Sequence, residues 1–212
     1  MPQNDTDTSV DPGEDATTYA YKPSLISAPN MFRLTVEALD WQIGRHSGRV
    51  PYRDISRIRL SFRPVSMQTH RFQAEIWPTR GPKLVLVSTS WRSLFEQERH
   101  DEAYDAFLIA LHRRIAAAGG TPLFQSGSPA LLYWPGVAVF AALLAGLAGL
   151  MVRALAAGEV AGVAFLGVFF AIFLWQIGGF FRRNKPGTYR AGALPAALLP
   201  ASRRTTSTEH LA

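Results

Sequence analysis

Between Met31 and Ser90 the chain carries ten basic residues, Arg33, Arg45, Arg49, Arg53, Arg57, Arg59, Arg63, Arg71, Arg80 and Lys83, against four acidic ones, Glu37, Asp40, Asp54 and Glu75. A guanidinium presents its N–H donors in a planar fork that matches carboxylate or phosphate oxygens, so the chemistry open to this stretch is the holding of anions. Arg57 and Arg59 alternate with Ile58 and Leu60, which places both on one side of a strand. Arg45 and Arg49 bracket a turn expected to lie near them, and Arg53 falls between. The five residues Arg45, Arg49, Arg53, Arg57 and Arg59 therefore form the candidate binding patch, for anionic lipid head groups, a phosphorylated ligand or an acidic protein partner. The plainer account is that arginines fill the solvated faces of a short-stranded sheet beside a negatively charged leaflet. Even then each would add about 1 kcal/mol of adhesion to the bilayer.

Other chemistry finds little support. Cysteine is absent, which removes disulfides, thiolate nucleophiles and Cys-ligated metals. His46, His70, His100, His112 and His210 are scattered without ligand spacing, and there is no Gly-rich phosphate loop. Asp40, before Trp41, reads as a hairpin turn and Asp54 as a turn cap. No cofactor, no metal and no enzymatic activity are expected. The pI of about 10.1 raises nucleic-acid binding, but basic and aromatic residues are not interleaved as in RNA-recognition sheets, so no nucleic-acid partner is expected.

The elements that must position these arginines follow from periodicity. Phe32, Leu34 and Val36 alternate with Arg33, Thr35 and Glu37, and Leu39, Trp41 and Ile43 repeat the pattern. His46-Ser47-Gly48 is a turn signal. Ile55 to Phe62, Phe72 to Ile76, and Lys83–Ser88 supply further strands, with Pro64 ending the first and a turn at Arg80-Gly81-Pro82. The gaps are too short for crossover helices, so the sheet is expected to be antiparallel and to curl or close on itself. A helix over Glu96–Ala118 carries Tyr104, Phe107, Leu108, Leu111 and Ile115 as one apolar stripe. His112, Arg113 and Arg114 sit near its end, where positive charge complements the helix dipole, and Gly119-Gly120 stops it.

Two uncharged runs follow. Ala130–Val152 contains no charge, and in Val160–Phe181 the one strongly polar side chain is Gln176. At about 1.5 Å per residue either run is long enough to cross a hydrocarbon core of about 30 Å. The link Arg153–Glu159 carries one Arg and one Glu, whereas Arg113 and Arg114 precede the first run and Arg182, Arg183, Lys185 and Arg190 follow the second. The positive-inside rule then places both termini in the cytoplasm. Ala138, Ala142 and Gly146, with Gly158 and Gly162, offer close helix packing, and Gln176 is expected to bond across the hairpin.

Strands followed by one amphipathic helix is the order of a pleckstrin-homology-like barrel. Through GRVPYRDISRIRL at Gly48–Leu60, KLVLVS at Lys83–Ser88 and the helix, the chain resembles bacterial membrane proteins that carry a PH-like domain beside a transmembrane pair. NKPGTYRAGALPAALLP at Asn184–Pro200 is similar to the tail of proteobacterial proteins of this kind. The resemblance implies a fold and an inner-membrane location, and carries no catalytic residues.

The expected organisation is an α+β membrane protein: a disordered acidic tail over 1–21, a cytoplasmic PH-like antiparallel β-barrel with a C-terminal amphipathic helix over 22–120, transmembrane helices over 130–152 and 160–181, and a cytoplasmic tail over 182–212. In that tail Ala193–Leu199 is apolar enough to lie on the membrane or against the sheet domain. The expected role is a membrane-anchored, non-enzymatic binding or scaffold module that contacts anionic lipids or a protein partner. The alternative is an accessory subunit of a larger inner-membrane complex, and homo-oligomers are compatible with either.

Overall fold

The computed structural model describes residues 18–64, 70–93 and 97–200. The expectations for residues 1–17 and for the end of the chain beyond Pro200 fall outside the described residues.

Four strands, β1 (Thr18–Tyr21), β2 (Asn30–Leu34), β3 (Ala38–Ile43) and β4 (His46–Pro51), form an antiparallel meander. A 3-10 turn at Tyr52–Asp54 leads to a second meander of β5 (Ile55–Pro64), β6 (His70–Pro78) and β7 (Leu84–Val87). A small hairpin of β8 (Thr89–Trp91) and β9 (Gln97–Arg99) precedes helix α1 (Asp101–Ala117). Strand β10 (Leu123–Ser126) leads into α2 (Ala130–Ala156), which α3 (Val160–Arg183) follows, and β11 (Gly187–Thr188) comes last. The architecture is α+β with two long apolar helices.

The core forms where the alternation predicts it. Phe32, Leu34 and Leu39 of the first sheet face Ile58, Leu60, Ala74, Ile76, Leu84 and Leu86 of the second, all buried. The stripe of α1 lies over the open side: Tyr104, Phe107, Leu108, Leu111 and Ile115 are buried, and the Phe107 ring centre is 5.6 Å from that of Tyr19. Each such side chain contributes about 1.5–3 kcal/mol through burial.

Several expectations are corrected. The described strands do not close into a barrel: they make separate four-stranded, five-stranded and two-stranded sheets. Where closure would join β1 to β7, tyrosine hydroxyls take the place of a backbone ladder. Tyr19 Oη donates to the Val87 carbonyl at 2.6 Å and Tyr21 Oη to the Val85 carbonyl at 2.5 Å. Side-chain reach replaces strand pairing there, and just beyond β1 the Trp91 N–H donates to the Lys22 carbonyl at 3.2 Å, joining the first sheet to β8. The second sheet is also not purely antiparallel, because β10 pairs parallel to β5. The sheet begins at Thr18, inside the stretch read as a tail, since Tyr19 and Tyr21 carry enough apolar surface to be buried. His46–Gly48 belongs to β4; the turn before it uses Gly44, whose φ of +60° suits glycine. Asp40 lies within β3 opposite Arg49, not in a turn. Helix α1 starts at Asp101, after β9 has used Gln97–Arg99.

The helix pair packs through aromatic side chains. Phe140 sits 5.5 Å from Phe173 and 5.4 Å from Phe181, and a Cβ at Gly136 would stand 3.3 Å from the Phe181 ring. Ala138, Ala142 and Gly146 are exposed on the outside of the pair, so that run of small residues does not build the hairpin, whereas Gly162 is half-buried and a Cβ there would stand 4.0 Å from Ala154 Cβ on the other helix. Gln176 is exposed too, beside Trp175, and makes no hydrogen bond across the pair among the described residues. The helix turn places its side chain on the outer face.

Candidate anion-binding site

Alternation along β5 sends Ile58, Leu60 and Phe62 into the core and Arg57, Arg59, Ser61 and Arg63 to the opposite face. Antiparallel register sets Trp77 opposite Arg57 and Glu75 opposite Arg59. The Trp77 ring gathers three cations: Arg57 Cζ at 4.2 Å from its centre, Arg59 Cζ at 5.2 Å and Lys83 Nζ at 5.7 Å. Each such contact contributes about 0.5–1 kcal/mol where water still reaches it. Lys83 Nζ also lies 2.9 Å from Glu75 Oε1, and Arg59 Nη2 donates to Gln125 Oε1 at 2.7 Å. Burial pushes Arg59 below its ordinary pKa, against the pull of Glu75, with Arg57 adding repulsion. Three cations thus share one ring while, among the described residues, only Lys83 pairs with the Glu75 carboxylate, and part of the Arg57 and Arg59 donor forks remains for an anion.

The sequence patch does not stay together. Arg57 and Arg59 lie on the five-stranded sheet, whereas Arg45 and Arg49 belong to the turn and strand of the four-stranded one. Arg49 is committed to Asp40, with Nε at 2.6 Å from Oδ1, and that contact holds the Asp40 carboxyl below the usual carboxylate range. Arg53 Nε donates to the Ala118 carbonyl at 2.7 Å, capping the end of α1. Trp77, Lys83 and Gln125 were missed, because only strand pairing brings them beside Arg57 and Arg59. The signal available was period two: Glu75 and Trp77 share a face, as do Arg57 and Arg59.

A joint fixes this sheet to the helix pair. Leu123 to Ser126 pair with Arg57 to Leu60, and Gln125 and Ser126 pair in turn with Thr188 and Gly187. Asn184, fully buried at the end of α3, accepts the Phe62 N–H at Oδ1 (3.0 Å), and its carbonyl accepts the Ser128 N–H at 3.0 Å. Leu198 and Leu199 bury in the core, so the apolar tail segment lies against the sheet domain.

His112 completes the joint. It is buried, stacked on Phe124 at 5.2 Å, with Nδ1 2.7 Å from the Leu108 carbonyl and Nε2 3.0 Å from Tyr189 Oη. A carbonyl only accepts, so Nδ1 carries the proton and Tyr189 donates to Nε2. Burial lowers the His112 pKa, so it is a neutral core residue and not the dipole-complementing cation expected from its place near the helix end. A folded pKa below the unfolded value of about 6.5 means the unfolded chain binds the proton first. Stability should hold above that pH and fall as pH drops toward the folded pKa. Denaturation midpoints measured across this range should show the decline, and His112→Gln should flatten it; an equal decline in the variant would refute the assignment.

Among the described residues no group of three or more His, Asp or Glu side chains is placed to hold a metal ion. Comparison with known protein families, curated proteins and solved structures finds no match.

Proposed function

We propose that this protein is a non-enzymatic binding module anchored in the bacterial inner membrane by α2 and α3, with both termini in the cytoplasm. The observation that carries the reading is the Arg57–Arg59–Lys83 cluster around Trp77, on a sheet pinned to the end of two apolar helices. Arg182, Arg183 and Lys185 at the end of α3 support the orientation through the positive-inside rule. A four-strand meander, a three-strand meander and a covering helix support a PH-like fold in an open form, extended by β10 and β11.

The favoured occupant of the Trp77 face is an acidic protein segment. Arg57 lies five residues before Phe62, the strand residue bonded to the end of α3, which is about 17 Å along β5. With β5 directed away from the leaflet, that separation exceeds the Debye length of about 8 Å at physiological salt, over which the leaflet's charge acts. Full-length protein in detergent should bind a fluorescent oligoglutamate peptide in a salt-dependent way. Replacing Arg57 and Arg59 together with Glu should weaken that binding by about tenfold or more, since charge-assisted pairs are lost and repulsion is added. Unchanged affinity in a folded variant would end this reading.

A second reading, an accessory subunit of a membrane complex, is favoured by the outward-facing Gln176 and by Ala138, Ala142 and Gly146 on the outside of the pair. Exchanging α2 and α3 for an unrelated hairpin should then release the protein from its complex; association that survives the exchange would exclude it.

A further inference from the structure

The same sheet carries a second cluster of positive charge at its other end. Arg63 and Arg71 stand directly opposite each other on β5 and β6, with both side chains on the face that carries Arg57 and Arg59. Like charges in this position destabilise a sheet. Among the described residues neither arginine makes an ion pair, and Arg71 Nε is buried with no hydrogen-bond partner. Burial, then the charge of Arg63, lowers the Arg71 pKa. An unpaired, partly desolvated arginine beside a second one costs stability unless an anion joins them.

The location indicates which anion. Phe62, the residue before Arg63, donates its N–H to Asn184, which ends α3. Arg183 lays its guanidinium 4.9 Å from the centre of the Phe62 ring, and Lys185 is exposed just beyond. This end of β5 therefore sits where the second apolar helix stops, the level at which lipid phosphates lie if the helices cross a bilayer. We propose that Arg63 and Arg71 form a site for the phosphate of an anionic phospholipid head group, distinct from the Trp77 face. The phosphate oxygens would bridge the two guanidinium groups, supply an acceptor for Arg71 Nε and cancel the repulsion. The inference rests on the reading that α2 and α3 span the membrane.

The test uses full-length protein reconstituted in nanodiscs of mixed phosphatidylcholine and phosphatidylglycerol, with native mass spectrometry of the lipids retained on release. The wild type should keep phosphatidylglycerol in preference, and Arg63→Gln, at an exposed position, should cut that preference by about fivefold. Arg63→Gln combined with Arg71→Gln should abolish it, while the Arg57→Gln and Arg59→Gln pair should leave it intact. Arg63→Lys, which keeps charge but not the fork, should fall between the wild type and Arg63→Gln, a result that separates bridging from charge alone. Retention unchanged in Arg63→Gln would overturn the site. Loss of the preference when inorganic phosphate is added would reassign it to a soluble phosphate. Failure to enter nanodiscs at all would instead overturn the membrane reading beneath it.

Discussion

Gly127→Ala will loosen the sheet from the helix pair while leaving the sheets themselves folded. Gly127 has φ +77°, and a Cβ there would collide with the carbonyl oxygens of Asn184 and Lys185. The left-handed backbone alone costs a non-glycine residue about 1–2 kcal/mol, and two main-chain oxygens cannot swing aside as a side-chain tip can. The same residue donates its N–H to the Leu60 carbonyl at 2.8 Å, and its neighbour Ser128 donates to the Asn184 carbonyl. Moving the chain at 127 therefore breaks both sides of the joint together. Hydrogen exchange should show the amides of Phe62, Gly127 and Ser128 losing protection by tenfold or more, about 1.4 kcal/mol each, while the β6–β7 amides keep theirs. Protection at Phe62 and Ser128 equal to wild type would contradict the account of how the parts are joined. Asn184→Ala should give a milder form of the same result, because the buried Phe62 N–H then loses its acceptor, at about 1–3 kcal/mol.

Phe107→Ala should destabilise the sheet domain by about 3–5 kcal/mol, the range for truncating a buried aromatic side chain. Phe107 is fully buried and touches Tyr19, which also stands 5.9 Å from Tyr104. Removing the ring leaves a void under α1 at the place where β1 is held to β7 by Tyr19 Oη and not by a ladder. The edge of the first sheet should open with it. Urea unfolding followed by tryptophan fluorescence, with Trp41, Trp77 and Trp91 in the sheet domain, should show the midpoint falling with little change in slope. A loss below about 1 kcal/mol would mean that α1 is not packed as described.

The strands and the helix stripe were legible in the sequence because period two and period 3.6 are local signals. Ile58, Leu60, Phe107 and Leu111 point inward for reasons their immediate neighbours already carry. Three kinds of feature were not legible. The link between the sheets depends on Tyr19 and Tyr21, whose hydroxyls reach carbonyls on β7 from a segment that composition marks as tail. The joint depends on Asn184 meeting Phe62 across 122 positions, a pairing with no periodic trace. The candidate face was half legible: Arg57 and Arg59 announce themselves by alternation, but Trp77, Lys83 and Gln125 join them only through register. Arg45, Arg49 and Arg53 are near Arg57 and Arg59 in sequence, but the turn at Tyr52–Asp54, which contains Arg53, carries the chain from one sheet to the other. Helix contacts in an apolar pair are equally hard to read. Ala138, Ala142 and Gly146 have the spacing for close packing, yet Phe140 and Phe181 fill the interface.

The central claim is that two helices cross a bilayer and hold the basic sheet domain on its cytoplasmic side. The absence of cysteine allows a direct measurement on the intact protein in sealed inverted and right-side-out inner-membrane vesicles. Single cysteines replace Ala157, in the turn between α2 and α3, and Gln42, exposed on β3, and each is treated with a membrane-impermeant maleimide. The account predicts that Ala157→Cys labels only in right-side-out vesicles and Gln42→Cys only in inverted ones. Labelling of both positions from the same side would contradict it.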